Sequence, residues 1–444
     1  MSRIHLIAVG GSVMHNLALA LSKQGHQISG SDDQIYEPAK SRLAAAGILP
    51  EIEGWDANRI DQKLDLVILG MHAKNDNPEL LKALELGIRI QSFPEFVGEQ
   101  FSNKTQIVVT GSHGKTTTTS MLMHVFQKLG ISFDYLVGAQ LDGFDTMVSF
   151  TNAPYAIIEG DEYLSSCLDA RSKFMHYHPT INIITGVAWD HYNVFPTFPS
   201  YLNTFQNLVA SLDVGSHVIY YEKDPLLNEI ILHHADHLMS HPYTEANSQL
   251  IDGIVYLNIK DKTFPLKIFG KHNMQNLQAV LYTCSILNIP LNPVAEALSS
   301  FTGAAKRMEL ISENSNQVRY RDFAHAPSKV KATIEAVRER YPDKRILVIL
   351  ELHTYSSLNK EFLPQYKNTV DLADQVVVYF DQKALEIKRM NLLDPAFIKS
   401  AFGNDSIKVC ENKSQLEELL NKYQSEFDLI LFLGSGQFGG ISLL

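Results

Sequence analysis

The chain has 444 residues, 45% hydrophobic and 20% charged, a globular composition that excludes disordered and low-complexity classes and leaves room for roughly two to four domains. Lys plus Arg number 38 against 49 Asp plus Glu, a formal charge of −11, so the basic surplus of a nucleic-acid binder is absent and an anionic ligand needs a local site. Cys167, Cys284 and Cys410 form no CxxC pair, which signals neither a disulfide framework nor a thiolate zinc site; with no export-like leader and no apolar run near the roughly 20 residues of a bilayer span, the expectation is a cytoplasmic protein without membrane insertion.

Residues 1–100 alternate β-rich runs (Arg3–Val9, Gln27–Gly30, Leu64–Gly70, Ile88–Ile90) with helix-length segments (Asn16–Gln24, Glu37–Ala46, Pro78–Leu86). Strands separated by helices need crossover connections, so this is an α/β domain with a mostly parallel sheet. A second block opens with the strand Thr105–Thr110, a glycine turn and a helix. Tyr155–Ile158 and Ile181–Gly186 add strands, and Pro196–Leu212 a connecting helix. From about 215 to 268 the shorter runs HVIYY, GIVYLNI and FPLKIF predict an antiparallel appendage, followed by the helix HNMQNLQAVLYTCSIL. A third α/β block carries YRDFAH, RILVILEL, QVVVYF and DLILFLG as strands, with a helix over Ser328–Tyr341. The pattern changes divide the chain at 1–100, 101–304 and 305–444.

Thr110-Gly-Ser-His-Gly-Lys-Thr-Thr117 is the segment with the clearest chemistry. It sits between an apolar strand and a helix, where a phosphate loop must sit. Gly111 and Gly114 let the backbone turn and aim N–H groups at phosphate oxygens, and the helix adds its positive N-terminal dipole. Lys115 reaches the outer phosphates and the Thr116 hydroxyl coordinates Mg²⁺. Only two residues separate Gly111 from Gly114, where the common loop has about four. That shortening disfavours a GTPase or a phosphate-loop kinase. An NAD-dependent dehydrogenase would explain a glycine turn at Gly10-Gly11 but not the loop at Gly111.

TGSHGKTTTT resembles the ATP loop of the Mur ligases, enzymes that use ATP to add amino acids or peptides to the UDP-muramoyl precursor of the bacterial cell wall. Four further segments follow in the family's order. Glu159-Gly-Asp-Glu-Tyr163 is similar to its acidic segment, Trp189-Asp190-His191 to its DH segment, and Gly270-Lys-His-Asn-Met-Gln-Asn276 to its GxHNxxN motif. Lys306-Arg-Met-Glu309 with Asp322-Phe-Ala-His325 resembles the motifs that open its last domain. The resemblance spans essentially the whole chain. It implies a three-domain architecture: a Rossmann-like UDP-muramate-binding domain, a phosphate-loop ATPase domain and a Rossmann-like C-terminal domain for the amino acid or peptide.

The same resemblance implies site residues. Gly111, Ser112, His113, Gly114, Lys115, Thr116 and Thr117 cradle ATP, with His272, Asn273 and Asn276 on its adenine side and Arg307 and Asp322 supplied by the last domain. Lys115, Glu159, His191 and Arg307 are the catalytic set; Thr116 and Glu159 hold Mg²⁺ between the phosphates, and His191 with a carboxylate holds a second metal near the acyl phosphate, Mn²⁺ being able to substitute. Asp161 and Glu162 compete locally for the carboxylate role. Gly10, Gly11, Ser12 and Asp32 are the UDP-side candidates, and His325 and His353 the amine-side ones. Taken singly, most of these would be ordinary solvated or helix-start residues; their order in the chain promotes them. A non-catalytic ATP-binding regulator, the alternative from another class, would not need Glu159 and His191 beside Lys115.

Some relatives bridge their metals with a carbamylated lysine after the DH segment. Here no lysine occurs between Lys173 and Lys223, which points to the branch acting on the lactoyl carboxylate of UDP-N-acetylmuramate. Asp169–Tyr177, Asp190–Phe195 and Gly436–Ile441 resemble the ligases whose amine is the tripeptide L-Ala-γ-D-Glu-meso-diaminopimelate, used in peptidoglycan recycling. L-alanine is the alternative amine, because His325-Ala-Pro327 and Leu350–Tyr355 depart from the pattern. The resemblance also implies a monomer or homodimer.

Overall fold

The structure, a computed structural model, describes residues 1–189, 192, 194–234, 236–304, 307–388 and 390–443. Packing divides the chain into two compact units. The first comprises Met1–Gly111, Thr118–Gly186 and Asn203–Pro242, the second Ser112–Thr117, Val187–Leu202 and Tyr243–Leu444. No helix among the described residues is long and apolar enough to cross a membrane.

The first unit opens with a parallel sheet in the order β2-β1-β3-β4, made of β1 (Arg3–Ile7), β2 (Gln27–Ser31), β3 (Leu66–Leu69) and β4 (Ile90–Ser92). Helices α1 (Ser12–Lys23), α2 (Ala39–Ala45), α3 (Pro78–Glu85) and α4 (Phe93–Gln100) alternate with them. All four residues of β3 are buried, as expected for a parallel strand covered on both faces. α1 starts four residues earlier than its apolar spacing suggests, because Gly11 takes the cap position. β4 begins at Ile90, where the apolar run of the sequence ends, since Ser92 and Glu95 form a capping box that opens α4 directly behind it.

A seven-stranded sheet follows, ordered β11-β10-β9-β5-β8-β6-β7. Its strands are β5 (Thr105–Thr110), β6 (Phe133–Leu136), β7 (Val148–Ser149), β8 (Tyr155–Glu159), β9 (Ile181–Ile184), β10 (His217–Tyr221) and β11 (Met239–Tyr243). Helices α5 (Lys115–Lys128), α6 (Phe198–Ala210) and α7 (Pro225–Leu232) connect them. The HVIYY run thus belongs to this sheet and not to an antiparallel appendage: His217–Tyr220 pair in parallel with Ile181–Ile184. Val218 and Ile219 become fully buried there, worth about 1.5–3 kcal/mol each, which a solvent-facing hairpin would forgo.

The second unit contains the appendage proper, an antiparallel sheet of β12 (Ser248–Ile251), β13 (Ile254–Ile259) and β14 (Lys262–Leu266), and then α8 (Lys271–Ile286) and α9 (Leu291–Ser299). Its larger sheet runs β15-β16-β20-β17-β18-β19. The strands are β15 (Glu309–Glu313), β16 (Val318–Asp322), β17 (Ile346–Glu351), β18 (Gln375–Tyr379), β19 (Lys408–Cys410) and β20 (Leu429–Leu433), with α10 (Pro327–Arg340) between β16 and β17. Only β15 is antiparallel to its neighbour. β20 comes last in the chain yet enters between β16 and β17, so the strand order reverses there, and the carboxyl edge of these three strands is the switch point where α/β sheets bind ligands.

Candidate active site

β5 is buried from Gln106 to Thr110 and delivers the chain into the glycine turn. Gly111 and Gly114 have φ of 113° and 75°, conformations that L side chains rarely adopt. Space excludes side chains as well: a Cβ on Gly111 would lie 2.4 Å from Thr185 Oγ1, and one on Gly114 would lie 2.3 Å from Asn276 Oδ1. Lys115 heads α5, and Thr116 and Thr117 follow it, both buried. Ser112 is buried too; its hydroxyl accepts the Ala188 N–H at 2.8 Å and shares a hydrogen bond with Tyr201 Oη at 2.7 Å. Ser112 therefore fastens the loop from behind. Tyr201, which the sequence reading missed, sits in α6 among ordinary apolar residues and carries no motif to flag it.

Glu159 ends β8 in register with Val109 of β5. It is buried, and its Oε2 accepts the Gly138 N–H at 2.7 Å. The two rival acids have other surroundings. Asp161 pairs with Lys173 at 3.4 Å, whose ammonium lies 5.1 Å from the Phe93 ring and 5.3 Å from the Tyr163 ring, while Glu162 is fully buried. The carboxylate of Glu159 and the hydroxyl of Thr116 are hard oxygen donors, the kind Mg²⁺ takes while keeping waters and substrate phosphates as its remaining ligands. Among the described residues no three His, Cys, Asp or Glu side chains gather as a self-contained metal centre. Asp190, His191 and Lys306 lie outside the described residues.

The three adenine-side candidates separate. Asn276 is brought against Gly114 of the loop. Asn273 spends its amide on the carbonyl of Phe269 at 2.8 Å, at the start of α8. Burial lowers the His272 pKa, opposed by the charge of Asp322. Asp322 is buried and accepts the Met308 and Ala324 N–H groups, each at 2.7 Å, so its carboxylate organises the chain on both sides of β16. The Arg307 guanidinium lies 4.6 Å from the Phe323 ring centroid.

Two contacts within the second unit tie loop residues to α10 and to the segment after β17. Ser328 Oγ, in the first turn of α10, lies 2.7 Å from His113 Nε2. The Tyr192 N–H donates to Ser356 Oγ at 3.1 Å, and the Trp189 and Tyr192 rings stand 6.0 Å and 6.3 Å from Phe362. Neither Ser328 nor Ser356 belongs to a recognisable motif. Of the amine-side candidates, His325 is buried with Nδ1 2.9 Å from the Phe323 carbonyl. Burial lowers the His353 pKa, and the Lys388 ammonium lowers it further against Asp381.

On the UDP side, Gly11 caps α1 and Ser12 begins it, with Ser12 Oγ 3.3 Å from Met147 Sδ. The Gly10 N–H donates to Asp32 Oδ2 at 2.7 Å. Asp32 thus closes the glycine turn on itself.

A buried strand that passes through two glycines of positive φ into a helix headed by Lys-Thr defines a nucleotide-phosphate-binding protein. Three family models match in chain order: "Mur ligase family, catalytic domain" over residues 3–105, "Mur ligase middle domain" over 109–284 and "Mur ligase, glutamate ligase domain" over 306–436. The chain belongs to the Mur ligase family and is an ATP-dependent ligase that forms a C–N bond. It is 30% identical to the UDP-N-acetylmuramate–L-alanine ligase of Clostridium kluyveri across 98% of this chain and 95% of that one. It is 27% identical to the UDP-N-acetylmuramate–L-alanyl-γ-D-glutamyl-meso-2,6-diaminoheptandioate ligase of Escherichia coli, across 99% and 96%. Among solved structures, the murein peptide ligase of Psychrobacter arcticus shares the fold with a TM-score of 0.69 at 24% identity, covering 99% of this chain and 97% of that one. The UDP-N-acetylmuramate–alanine ligase of Thermotoga maritima does so with 0.72 at 23%, covering 99% and 96%.

Proposed function

We propose that this ligase joins the tripeptide L-Ala-γ-D-Glu-meso-diaminopimelate to the lactoyl carboxylate of UDP-N-acetylmuramate, in the cytoplasm, as a step of peptidoglycan recycling. The observation that carries this reading is the segment Asp169–Tyr177, whose sequence resembles the tripeptide-adding branch. L-alanine is the second reading, favoured by the 30% identity to an L-alanine ligase against 27% to a tripeptide one.

In this reading residues 1–100 hold the UDP-muramate through Gly10, Gly11, Ser12 and Asp32, residues 101–304 hold ATP, and residues 305–444 present the amine near His325 and His353. Thr116 and Glu159 would hold Mg²⁺, and His191 with a carboxylate a second metal ion, and these would supply charge neutralisation at the transferring phosphoryl group. Lys115 and Arg307 add fixed positive charge where the γ-phosphate moves to the substrate carboxylate, and the loop N–H groups hold the phosphates left behind. The amine then attacks the acyl phosphate, and the tetrahedral adduct expels phosphate to leave the amide. Asn276 steadies Gly114 while His272 and Asn273 shape the start of α8 on the adenine side.

The deciding experiment measures ADP release with ATP, Mg²⁺ and UDP-N-acetylmuramate, offering either L-alanine or the tripeptide. Turnover with tripeptide alone supports the proposal. Turnover with alanine moves the chain to the second reading, and silence with both rejects UDP-N-acetylmuramate as the acid.

A further inference from the structure

At the carboxyl edge of β16, β20 and β17 three loops emerge side by side. The loop after β16 carries His325 and that after β17 carries His353. The third, Gly434-Ser-Gly-Gln-Phe-Gly-Gly440 after β20, has no role in the reading above. It is held at several points. Glu351, the last residue of β17 and only 4% exposed, accepts the Phe438 N–H on Oε1 at 3.1 Å. Arg321 of β16 donates from Nη2 to the Gly436 carbonyl at 2.9 Å. The fit leaves no room for side chains: a Cβ on Gly436 would lie 2.4 Å from Glu351 Oε2, and one on Gly434 would lie 2.8 Å from Glu351 Cβ.

The Phe438 ring is fully buried, 5.6 Å from Phe432, although its backbone has a φ of 52° that is unfavourable for phenylalanine. Gln437, Gly439 and Gly440 are exposed on either side of this anchor. Among the described residues, two buried polar atoms around the loop have no hydrogen-bond partner: Arg321 Nε and Ser435 Oγ. A carboxylate buried against the end of a strand, clamping a strained and glycine-rich loop at a switch point, is arranged for positioning a ligand. Burial pushes the Glu351 carboxyl up, opposed by the Phe438 amide, the Arg321 charge and the Gly436 amide.

We infer that Glu351 and Arg321 are positioning residues for the incoming amine, acting through the loop Gly434–Gly440, which forms the third wall of the amine site. The inference rests on the reading that the amine binds at this edge. Most of the loop's main-chain groups are spent within the protein, the Phe438 N–H on Glu351, the Gly440 N–H on the Gln437 carbonyl and the Gly436 carbonyl on Arg321, so the loop meets the amine through the exposed Gln437 side chain at its tip.

The test is steady-state kinetics on Glu351→Gln, with Gly436→Ala as a second route to the same loop and Gln437→Ala as a variant at its exposed tip. Glu351→Gln should raise the KM for the amine by about tenfold or more, as expected for losing a charge-assisted hydrogen bond, while the KM values for ATP and UDP-N-acetylmuramate stay within about twofold. Gly436→Ala should show the same split, and the double variant Glu351→Asp/Gly436→Ala, which removes one methylene opposite the new methyl, should recover part of it. Gln437→Ala should raise only the amine KM at unchanged melting temperature. Equal rises in all three KM values, or lower melting temperatures with every KM unchanged, would overturn the inference while leaving the proposed reaction standing. A wild-type chain that turns over neither amine overturns the reaction and the inference with it.

Discussion

His113 of the phosphate loop and Ser328 of the first turn of α10 share a hydrogen bond of 2.7 Å. The two residues are far apart in sequence, yet the contact gives α10 a direct hold on the loop that would cradle ATP. A conformational step that completes such a loop commonly limits turnover. Ser328→Ala should therefore lower kcat by about two- to twelvefold, the kinetic equivalent of one hydrogen bond of about 0.5–1.5 kcal/mol, with the KM for ATP little changed. Rapid-quench measurement of ADP formation would separate the two; a change in KM alone would make the contact a binding feature.

Lys115→Ala should abolish measurable ADP formation, because the γ-phosphate loses its positive partner when charge moves in the transition state. The protein should still fold, since Lys115 heads α5 without filling the core. Circular dichroism and the ADP assay on the same preparation check both halves, and unaltered turnover would reject the loop assignment.

Gly114→Ala places a methyl 2.3 Å from Asn276 Oδ1 at a φ of 75°. Strain from φ alone costs about 1 kcal/mol or more, and the clash adds to it. ATP affinity should fall at least about tenfold, and Asn276→Gly in the same chain should restore part of that loss by removing the clash but not the strain. Isothermal titration with a non-hydrolysable ATP analogue reads this directly, with Asn276→Gly alone reporting what the asparagine itself contributes; a double variant that loses as much as the two single variants combined would show that φ alone decides.

The phosphate loop was legible because its chemistry is local: glycines, lysine and threonine in a fixed spacing between a strand and a helix. The parallel sheets were legible for a similar reason, through apolar runs such as Leu66–Leu69 and Ile346–Glu351 that are buried throughout. What escaped is what depends on partners distant in the chain. Tyr201, Ser328 and Ser356 acquire their roles only when the fold brings them to Ser112, His113 and Tyr192. The place of β10 escaped because the run His217–Tyr221 reads equally well as a hairpin strand, and only the crossover through α6 puts it beside β9. Asn273 and Asp322 were found as motif members, but their hydrogen bonds go to the protein's own backbone.

Glu79 at the start of α3 is fully buried and gathers His5 Nε2 at 3.2 Å, Arg59 Nη1 at 3.2 Å, the Asp56 N–H at 2.9 Å and the Ser31 hydroxyl. Burial alone would raise its pKa, yet these donors together hold it below the usual value. A depressed carboxyl contributes stability above its unfolded pKa and loses it as pH falls through the folded one. Glu79→Gln should destabilise the first unit by about 3–5 kcal/mol at neutral pH, the range for breaking a buried ion pair, and the difference from wild type should shrink on acidification below about pH 4. Urea melts at several pH values measure it; a small, pH-independent difference would mean that the amide replaces the carboxylate in full.

Asp32 shows the opposite linkage. Its Oδ2 accepts the Gly10 N–H at 2.7 Å and its Oδ1 the Asp33 N–H at 2.9 Å, yet burial, aided by the neighbouring Asp33, pushes its carboxyl up to about 6. An acid whose pKa rises on folding binds more protons in the folded chain than in the unfolded one between about pH 4 and its folded value. Its stabilising contribution is therefore fullest below about pH 4 and is lost as pH rises through about 6. An amide in place of this carboxyl does not titrate, so the melting temperature of Asp32→Asn relative to wild type should be more favourable at about pH 7.5 than at about pH 4.5. If Asp32 also meets the UDP-sugar, bound nucleotide should shift its titration, and the gap between the two proteins should change when UDP-N-acetylmuramate is added. A gap that stays constant across pH, with or without the nucleotide, would show that the carboxyl titrates as it does in the unfolded chain and serves only to close the glycine turn.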